Sequence, residues 1–561
     1  MIYNETATSK ALNLGEFLQG VGSFLRNTDL IKACTVSKFW QKNLQPLLYD
    51  SIQVYYPDSY ISAAYKPNKA KEDSRLPSIE IFNANAGRIR SLVITNKPGD
   101  DIIEYYHIRG CTNLERFEWR DWRGDESCNE QQWDSMIDFL KENGSRIKHI
   151  SIQYKQPDVL RFWKVVTLDL SSTLRSLELG FGVTDEKDVP WAYMACKDLM
   201  ELTFSCSNFP DCLLSDYLDP TARAEKLLET LRNENSPSDS ESITRLESSI
   251  ASRRNTVDDY YLFPITKYLK LSLWEGNNDA RLSILKQCPK LERFNFFDEY
   301  EGDEIANDLE YKALSTPATW PNLNSMELVG SGATEDTLKD FLKAWNARYF
   351  DELDDNPSIE SKMLLKSLQT SAYMGPSCWE ILYDRGHYKT LERIELTSIK
   401  VGSLDILIIL ATCPHLKSIT APVIHAADIE KTKNHPWACA DLEKFDINIE
   451  TDLERWETEF QENSMPTTEQ MEEATIEQLG RLHQLQSLLV CWPRYAYISK
   501  GIRLTLGKGL ERLSHLKKVE RVAVADRIVA SRDLEWMKKT WVDLEYVKGR
   551  NDKIDHDNCY R

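Results

Sequence analysis

The residues of this sequence that most readily do chemistry are its twelve cysteines and nine histidines. The cysteines are scattered, without a Cys-x-x-Cys pair or a Cys/His cluster at the spacing of a zinc site. His415, His483 and His515 each stand just before an apolar residue of a recurring phrase and are expected to be structural. The pattern therefore favours reduced thiols packed as small hydrophobic groups, and it predicts no metal site.

Other catalytic motifs are not found. The GSG at Gly330–Gly332 lacks the Lys-Ser/Thr of a phosphate-binding loop and is more typical of a turn. There is no Gly-x-Ser-x-Gly elbow, no His-Glu-x-x-His, and no pair of carboxylates that stands out from the general acidity. We therefore expect no catalytic residues and no cofactor, and an enzyme is the weakest of the functional hypotheses.

Charge and hydropathy restrict the partners. The 561 residues carry a formal net charge of −19 and contain no long Lys/Arg cluster, so nucleic acid is not an expected partner. No apolar run approaches the ~18 residues of a membrane span, and the start MIYNETATSK lacks the pattern of a secretion signal. With unpaired cysteines, these features predict a cytoplasmic or nuclear protein without a membrane partner.

A hydrophobic phrase recurs along the chain. In LERIEL its three apolar positions are Leu391, Ile394 and Leu396, and the next two copies begin at Leu416 and Leu442, at intervals of about 25 residues. Apolar residues two apart point to one face of a strand, so each copy predicts a short strand. Other copies begin at Ile89, Leu114, Ile147, Leu174, Leu199, Tyr268, Leu291, Leu323, Leu485, Val519 and Leu544, with a degenerate copy near MLLKSLQT (Met363 to Thr370).

Between copies the pattern becomes helical. In VGSLDILIILATCPHL, the residues Leu404, Leu407, Ile408 and Ala411 lie at i, i+3, i+4 and i+7, which predicts a buried helical face. Pro414 is expected to end this helix, because proline disfavours helical geometry in the residue before it. Each unit is thus strand, loop, helix, loop, and its apolar edge is buried by stacking the next unit.

In five copies a cysteine stands three residues before the first apolar position of the phrase. These copies, such as CTNLERFEW and CPHLKSI, resemble the cysteine-containing class of leucine-rich repeats; their cysteines are Cys111, Cys196, Cys288, Cys413 and Cys439. The resemblance implies an α/β repeat solenoid over residues 85–550, a horseshoe with parallel strands on the concave face and helices outside. Unrelated α/β segments are the competing interpretation.

Two stretches interrupt the repeat period and are predicted as insertions, near residues 207–262 and 451–478. The first contains the Ser-rich, acidic run NENSPSDSESITRLESS, which is typical of an exposed segment. The second is acidic, and Thr467 or Thr468 is expected to cap a helix through EQMEEATIEQL. Residues 551–561 are predicted to form a tail.

The N-terminal stretch is apolar beyond what its length can bury. Leu14, Phe17, Leu18 and Val21 lie at i, i+3, i+4 and i+7, and further helical spacing follows in residues 29–47. Three short helices in about forty residues rarely sustain a domain by burial alone, so part of this apolar surface must meet something else. We predict a small all-α domain over residues 10–52, followed by a linker over residues 53–84.

This segment resembles an F-box. The matches are Phe24-Leu25, Asp29-Leu30, Val36-Ser37-Lys38 with Trp40, and Pro46-Leu47-Leu48-Tyr49, whereas the Leu-Pro pair that opens the family pattern is missing. F-boxes and cysteine-type leucine-rich repeats occur together in one large family that includes many fungal proteins. The resemblance implies a Skp-type adaptor and a cullin–RING ubiquitin ligase as partners, with adaptor-binding residues Leu14, Phe17, Leu18, Val21, Phe24, Leu25, Leu30, Val36 and Trp40.

The variable positions of the strands are the expected contact points for a protein substrate. Trp, Tyr and Arg are the usual anchors of protein interfaces. The candidate substrate-binding residues are Arg116, Glu118, Arg120, Trp274, Arg293, Phe297, Arg393, Glu395 and Lys444. The expected function is that of the substrate-recognition subunit of an SCF-type ligase; the alternative is a non-catalytic scaffold whose N-terminal helices only cap the solenoid.

Overall fold

The computed structural model describes residues 15–23, 25, 27–55, 79–96, 108–121, 130–153, 159–180, 189–196, 198–205, 229, 244, 263–272, 288–297, 320, 322–329, 335–344, 364–371, 373–398, 400–451, 466–490, 501–502, 504–524 and 529–548. The chain divides into two compact units, Met1–Pro289 and Lys290–Arg561. Among the described helices, none combines the length and the apolar character needed to cross a membrane.

The first unit starts with short helices and continues as an α/β array. The described α-helices are α1 (Gly15–Gly22), α2 (Asn27–Cys34), α3 (Lys38–Leu44), α4 (Ile79–Asn85), α5 (Glu130–Asn143), α6 (Val159–Val165) and α7 (Val189–Cys196). A 3-10 helix, Gln45–Tyr49, lies between α3 and the first strand. The strands are β1 (Ser51–Tyr55), β2 (Ser91–Asn96), β3 (Arg116–Asp121), β4 (His149–Ile152), β5 (Ser176–Leu179), β6 (Glu201–Ser205) and β7 (Tyr268–Ser272). Each strand pairs in parallel with the next in chain order.

The second unit repeats this arrangement. Its described helices are α8 (Glu335–Ala344), α9 (Pro376–Asp384), α10 (Ser403–Thr412), α11 (Ala426–Lys431), α12 (Thr468–Leu479) and α13 (Ser531–Thr540). Its strands are β8 (Arg293–Phe297), β9 (Ser325–Val329), β10 (Ser367–Thr370), β11 (Arg393–Leu396), β12 (Ser418–His425), β13 (Lys444–Glu450), β14 (Ser487–Leu489), β15 (Arg521–Ala523) and β16 (Tyr546–Lys548). They too pair in parallel in chain order.

The alternation within each strand builds the core. On β3, Phe117 and Trp119 are fully buried, and their rings lie 5.3 Å from Phe139 and 6.3 Å from Trp133 of α5, measured between centroids. The helix therefore covers the apolar side of the strand, while the residues between the apolar ones face the other way. The predicted α/β repeat is confirmed, including the degenerate copy, which is β10.

The five cysteines of the repeat phase are confirmed as core residues: all are buried free thiols. Burial raises the pKa of the Cys111 and Cys439 thiols to about 12 and that of Cys413 to about 11. Cys413 also caps the end of α10, where its N–H donates to the carbonyl of Ile409. These thiols fill space beside the next strand, as the sequence predicted.

The buried face of α10 agrees with the prediction only in part. Leu407 is buried as predicted, whereas Leu404 and Ile408 are half exposed. The fully buried residues of this helix are Ile406, Ile409 and Leu410. The run from Ile406 to Ala411 is apolar without a break, so a periodic pattern cannot select one face there. The packing of the neighbouring elements decides it instead.

Three elements fall outside the predicted repeat boundaries. Strand β1 spans the end of the predicted helical domain and the start of the predicted linker, and α4 lies within that linker. Helix α12 lies in the predicted second insertion, and its Met471, Ile476 and Leu479 are buried like those of a repeat helix. The insertion near 207–262, apart from Glu229 and Thr244, and the tail lie outside the described residues.

The start of α12 resolves the two capping candidates in favour of Thr467. Its hydroxyl accepts a hydrogen bond from the N–H of Gln470, and the Gln470 side chain accepts one from the N–H of Thr467. This reciprocal arrangement is a capping box, which satisfies two otherwise unpaired amides.

Candidate functional site

The three N-terminal helices have a small core of their own. Leu18 of α1, Leu30 of α2 and Leu44 of α3 are buried together, and the partly buried residues packed against them are Leu25, Ala33, Cys34, Trp40, Leu47 and Leu48. Gly22 allows this close packing, because a Cβ there would meet the side chains of Leu47 and Leu44 at 2.5 and 2.7 Å. Ser37 caps α3 by accepting a hydrogen bond from the N–H of Trp40 at 3.1 Å.

The outside of this cluster is unusually apolar. Phe17, Val21, Ile31, Val36 and Phe39, which we call the N-terminal apolar surface, are each between 39 % and 63 % exposed. They make up five of the twelve exposed large hydrophobic side chains among the described residues, yet they fall within 23 residues of chain. Such a concentration marks an interaction surface more often than a neutral one.

The predicted adaptor-binding residues divide into three groups. Phe17, Val21 and Val36 lie on the N-terminal apolar surface, and Leu25 and Trp40 are partly buried and pack against the cluster core. Leu18 and Leu30 lie in the cluster core, so they support the surface and are not available for contact. Leu14 and Phe24 lie outside the described residues.

Two members of the surface, Ile31 and Phe39, were not among the predicted site residues. Each is adjacent in sequence to a residue that packs into the cluster, Leu30 and Trp40, and so points to another side of a helix of only seven or eight residues. The sequence does contain a signal for these two residues, because each stands next to another apolar residue. One buried stripe of a helix cannot take in both members of such an adjacent pair. Exposed lysines accompany the surface at Lys32, Lys38 and Lys42.

In the first unit, the polar side of β3 brings three predicted residues together. Glu118 is only 1 % exposed, and its carboxylate forms ion pairs with the guanidinium groups of Arg116 and Arg120. On β4, His149 lies opposite Arg116, with its Nδ1 2.9 Å from the hydroxyl of Ser176. Burial, together with the nearby charge of Arg116, lowers the pKa of His149 below its ordinary value.

Glu118 is therefore a buried structural residue, and the two arginines are the exposed residues of this site. A buried carboxylate needs such partners, because an unpaired charge there costs several kcal/mol. The sequence predicted all three as contact residues. The structure leaves Arg116 and Arg120 half exposed, so they remain the contact candidates on β3.

In the second unit, the predicted residues lie in two rows across the strands. Arg393 and Lys444 occupy the same register position on β11 and β13, separated by Ser418 of β12. Glu395 lies in the next outward-facing row, in register with Thr420 and, beyond it, the buried Asp446. Arg293 is exposed at the start of β8. Trp274 and the side chain of Phe297 lie outside the described residues.

Among the described residues, no group of three or more His, Cys, Asp or Glu side chains is placed to hold a metal ion. The GSG motif lies outside the described residues. His415, His483 and His515, expected to be structural, are exposed; the rings of His483 and His515 lie 5.3 Å apart, and Nε2 of His515 lies 2.5 Å from the carbonyl oxygen of Gly480.

Comparison with known proteins adds little to this description. No protein-family model matches the chain, and no curated protein matches it. Among solved structures, the chain is similar to the leucine-rich-repeat (LRR) protein LIC12759 of Leptospira interrogans, at 11 % identity and a TM-score of 0.31, over 83 % of this chain and 91 % of that one. At these values the similarity carries no argument about function, and the repeat architecture rests on the strand register and packing described above.

Proposed function

We propose that this protein is the substrate-recognition subunit of an SCF-type cullin–RING ubiquitin ligase. The N-terminal apolar surface binds a Skp-type adaptor, and the polar strand rows bind a protein substrate. The protein itself supplies no catalytic group; it holds the substrate near the ubiquitin-transferring subunits. The F-box-like residues Val36-Ser37-Lys38 and Trp40 support this proposal, since they form the connection and the first turn of α3.

The observation that carries the proposal is the N-terminal apolar surface on a cluster that already has its own core. If the helices only capped the repeats, their apolar side chains would be expected to face the first strand. Instead, Ile31 and Val36 are more than half exposed. The link to the array runs mainly through the 3-10 helix Gln45–Tyr49, which packs against β1.

The free energy of burying these five side chains can be compared with the cost of association. Complete burial of a half-exposed Phe, Ile or Val contributes about 1 kcal/mol, so the five side chains together contribute about 5 kcal/mol. Association itself costs roughly 4–15 kcal/mol. A stable complex therefore needs further contacts, and the half-buried Trp40 and the lysines of α2 and α3 are placed to make them.

The alternative is a non-catalytic scaffold with no ligase role. Its supporting observation is the direct passage from the 3-10 helix Gln45–Tyr49 into β1. Asp50, which joins the two, accepts hydrogen bonds at its carbonyl from the N–H groups of Arg90 and Ser91. Co-purification separates the two proposals. The full chain is expressed with a Skp-type adaptor and its cullin: a complex containing all three supports the ligase subunit, and a chain that elutes alone supports the scaffold.

A further inference from the structure

Five neighbouring strands of the second unit carry a regular row of side chains that includes two of the candidate substrate contacts, Arg393 and Lys444. Arg393, Ser418, Lys444, Ser487 and Arg521 share one register position on β11 to β15, and we call them the cationic row. Neighbouring strands lie about 4.8 Å apart, so the cationic residues recur about every 10 Å with a serine between them. The row thus repeats one motif: a cation, a hydroxyl and a cation.

The cationic row forms one wall of a cavity of about 550 Å³. The other lining residues come from the preceding position of the same strands and are Glu392, Lys417, Glu443, Gln486 and Glu520. This volume is in the range of sites that hold small molecules or a few residues of a peptide.

Ser487 is the feature that points to a ligand. The residue is 8 % exposed, and its hydroxyl is buried without a hydrogen-bond partner in the part of the chain that the structure describes. A buried hydroxyl without a partner costs about 1–3 kcal/mol, and a bound acceptor would remove that cost. On the two flanking strands, Lys444 and Arg521 occupy the same register position.

The charges around the cavity leave the row cationic. Lys417 is neutralised by Glu392, with 2.8 Å between Nζ and Oε2. Lys444 approaches a carboxylate less closely, with Nζ 3.6 Å from Oδ2 of Asp446. The guanidinium of Arg521 lies over the ring of Tyr546 at 5.6 Å, and its charge also acts on the buried Asp446, where it lowers the pKa of that carboxyl. Glu443 and Glu520 line the edge of the cavity and oppose an anion there.

We propose that this cavity binds a phosphate monoester, with the Ser487 hydroxyl donating a hydrogen bond to the phosphate and Lys444 and Arg521 neutralising it. A phosphate carries close to two negative charges and three strong acceptor oxygens, which match one hydroxyl and two cations better than a carboxylate does. The phosphate belongs either to a small molecule or to a phosphorylated side chain. The site shares Arg393 and Lys444 with the proposed substrate face, but it does not depend on adaptor binding, because its evidence comes from the second unit alone.

Calorimetric titration of the full-length chain tests this site with two probes, glycerol 2-phosphate and a short phosphoserine peptide. The control peptides carry serine or glutamate in place of phosphoserine. We expect saturable binding of both phosphate probes, with the dissociation constant raised about tenfold by Lys444→Gln or by Arg521→Gln, as for the loss of one charge-assisted hydrogen bond. Lys433→Gln, which removes a lysine paired with Glu430 away from the cavity, is the matched control and should leave binding unchanged.

A second pair of variants separates loss of binding from loss of folding. Glu443→Gln and Glu520→Gln remove negative charge from the cavity edge and should tighten phosphate binding, a gain that a misfolded protein does not give. Tighter binding of the peptide than of glycerol 2-phosphate would assign the site to a phosphorylated protein, and equal binding to a small molecule. The proposal is overturned if neither probe binds saturably, if Lys444→Gln and Lys433→Gln behave alike, or if the glutamate peptide binds as well as phosphoserine.

Discussion

Lys444 and Asp446 lie two residues apart on the polar side of β13, with 3.6 Å between Nζ and Oδ2. Asp446 is buried, and burial raises its pKa above the ordinary value of 3.8, although Lys444 acts in the opposite direction. The lysine thus compensates only part of what the carboxylate loses on leaving water.

This relationship predicts that Asp446 weakens the fold at neutral pH. The folded chain holds the Asp446 proton more tightly than the unfolded chain, so its favourable contribution is complete below pH 3.8 and is lost as the pH rises through the folded-state pKa. Asp446→Asn should therefore raise the free energy of unfolding by about 1 kcal/mol at pH 7, and by much less below pH 4.

Urea unfolding followed by circular dichroism at both pH values measures this difference. Asp441→Asn, at an exposed position shortly before the same strand, is the control and should change the free energy of unfolding little at either pH. A loss of stability in Asp446→Asn at pH 7 would show that the ion pair with Lys444 outweighs burial.

Helix α10 offers a matched pair of substitutions for the packing of the array. Ile406 is fully buried and Ile408 is half exposed on the same helix. Ile406→Ala should lower the free energy of unfolding by about 2–5 kcal/mol, because it removes buried surface and leaves a cavity. Ile408→Ala should lower it by less than about 1 kcal/mol. Equal losses in denaturant unfolding would contradict the helix orientation described here.

Cysteine reactivity tests whether the five cysteines of the repeats are buried. Burial raises the pKa of Cys111, Cys196, Cys288, Cys413 and Cys439, so little reactive thiolate is present at neutral pH. Among the cysteines that the structure describes, the half-buried Cys34 should react first with iodoacetamide in the native protein. Peptide mass spectrometry after timed alkylation gives the order, and rapid modification of Cys413 or Cys439 would refute the packing.

The repeat architecture was predictable because each strand copy encodes its own alternation. Phe117 and Trp119 alternate with Arg116 and Arg120, and this pattern alone specifies which side faces the helices. Strand β1 was missed because its sequence, SIQVY, follows directly on the apolar helical segment and lacks the full phrase. The order of the strands follows from the repeat itself, since each unit is completed by the next.

The sites were less predictable, because periodicity finds an apolar stripe without saying what covers it. Leu30 and Ile31 are neighbours of similar character, yet one is in the cluster core and the other is exposed. Likewise Glu118 occupies a variable strand position that the sequence assigns to the surface, yet it is buried and forms ion pairs with the flanking Arg116 and Arg120. Ser487 and Arg521 belong to late copies of the phrase, and only the strand register aligns them with Lys444.

The central claim is that the N-terminal apolar surface binds a Skp-type adaptor. The most direct measurement is the affinity of the full-length chain for the adaptor by biolayer interferometry, compared with that of an Ile31→Asp, Val36→Asp double variant. Both residues are more than half exposed, so the substitutions should spare the fold, whereas Leu30→Asp would disrupt the cluster core.

A Leu404→Asp, Ile408→Asp double variant is the matched control, because it places the same charges on an equally exposed apolar pair in the second unit. We predict measurable adaptor binding by the native chain, unchanged binding by this control, and a loss of at least about a hundredfold for Ile31→Asp, Val36→Asp, since a buried unpaired charge costs several kcal/mol. Adaptor binding that both double variants retain in full would contradict the account, as would the lack of binding by the native chain.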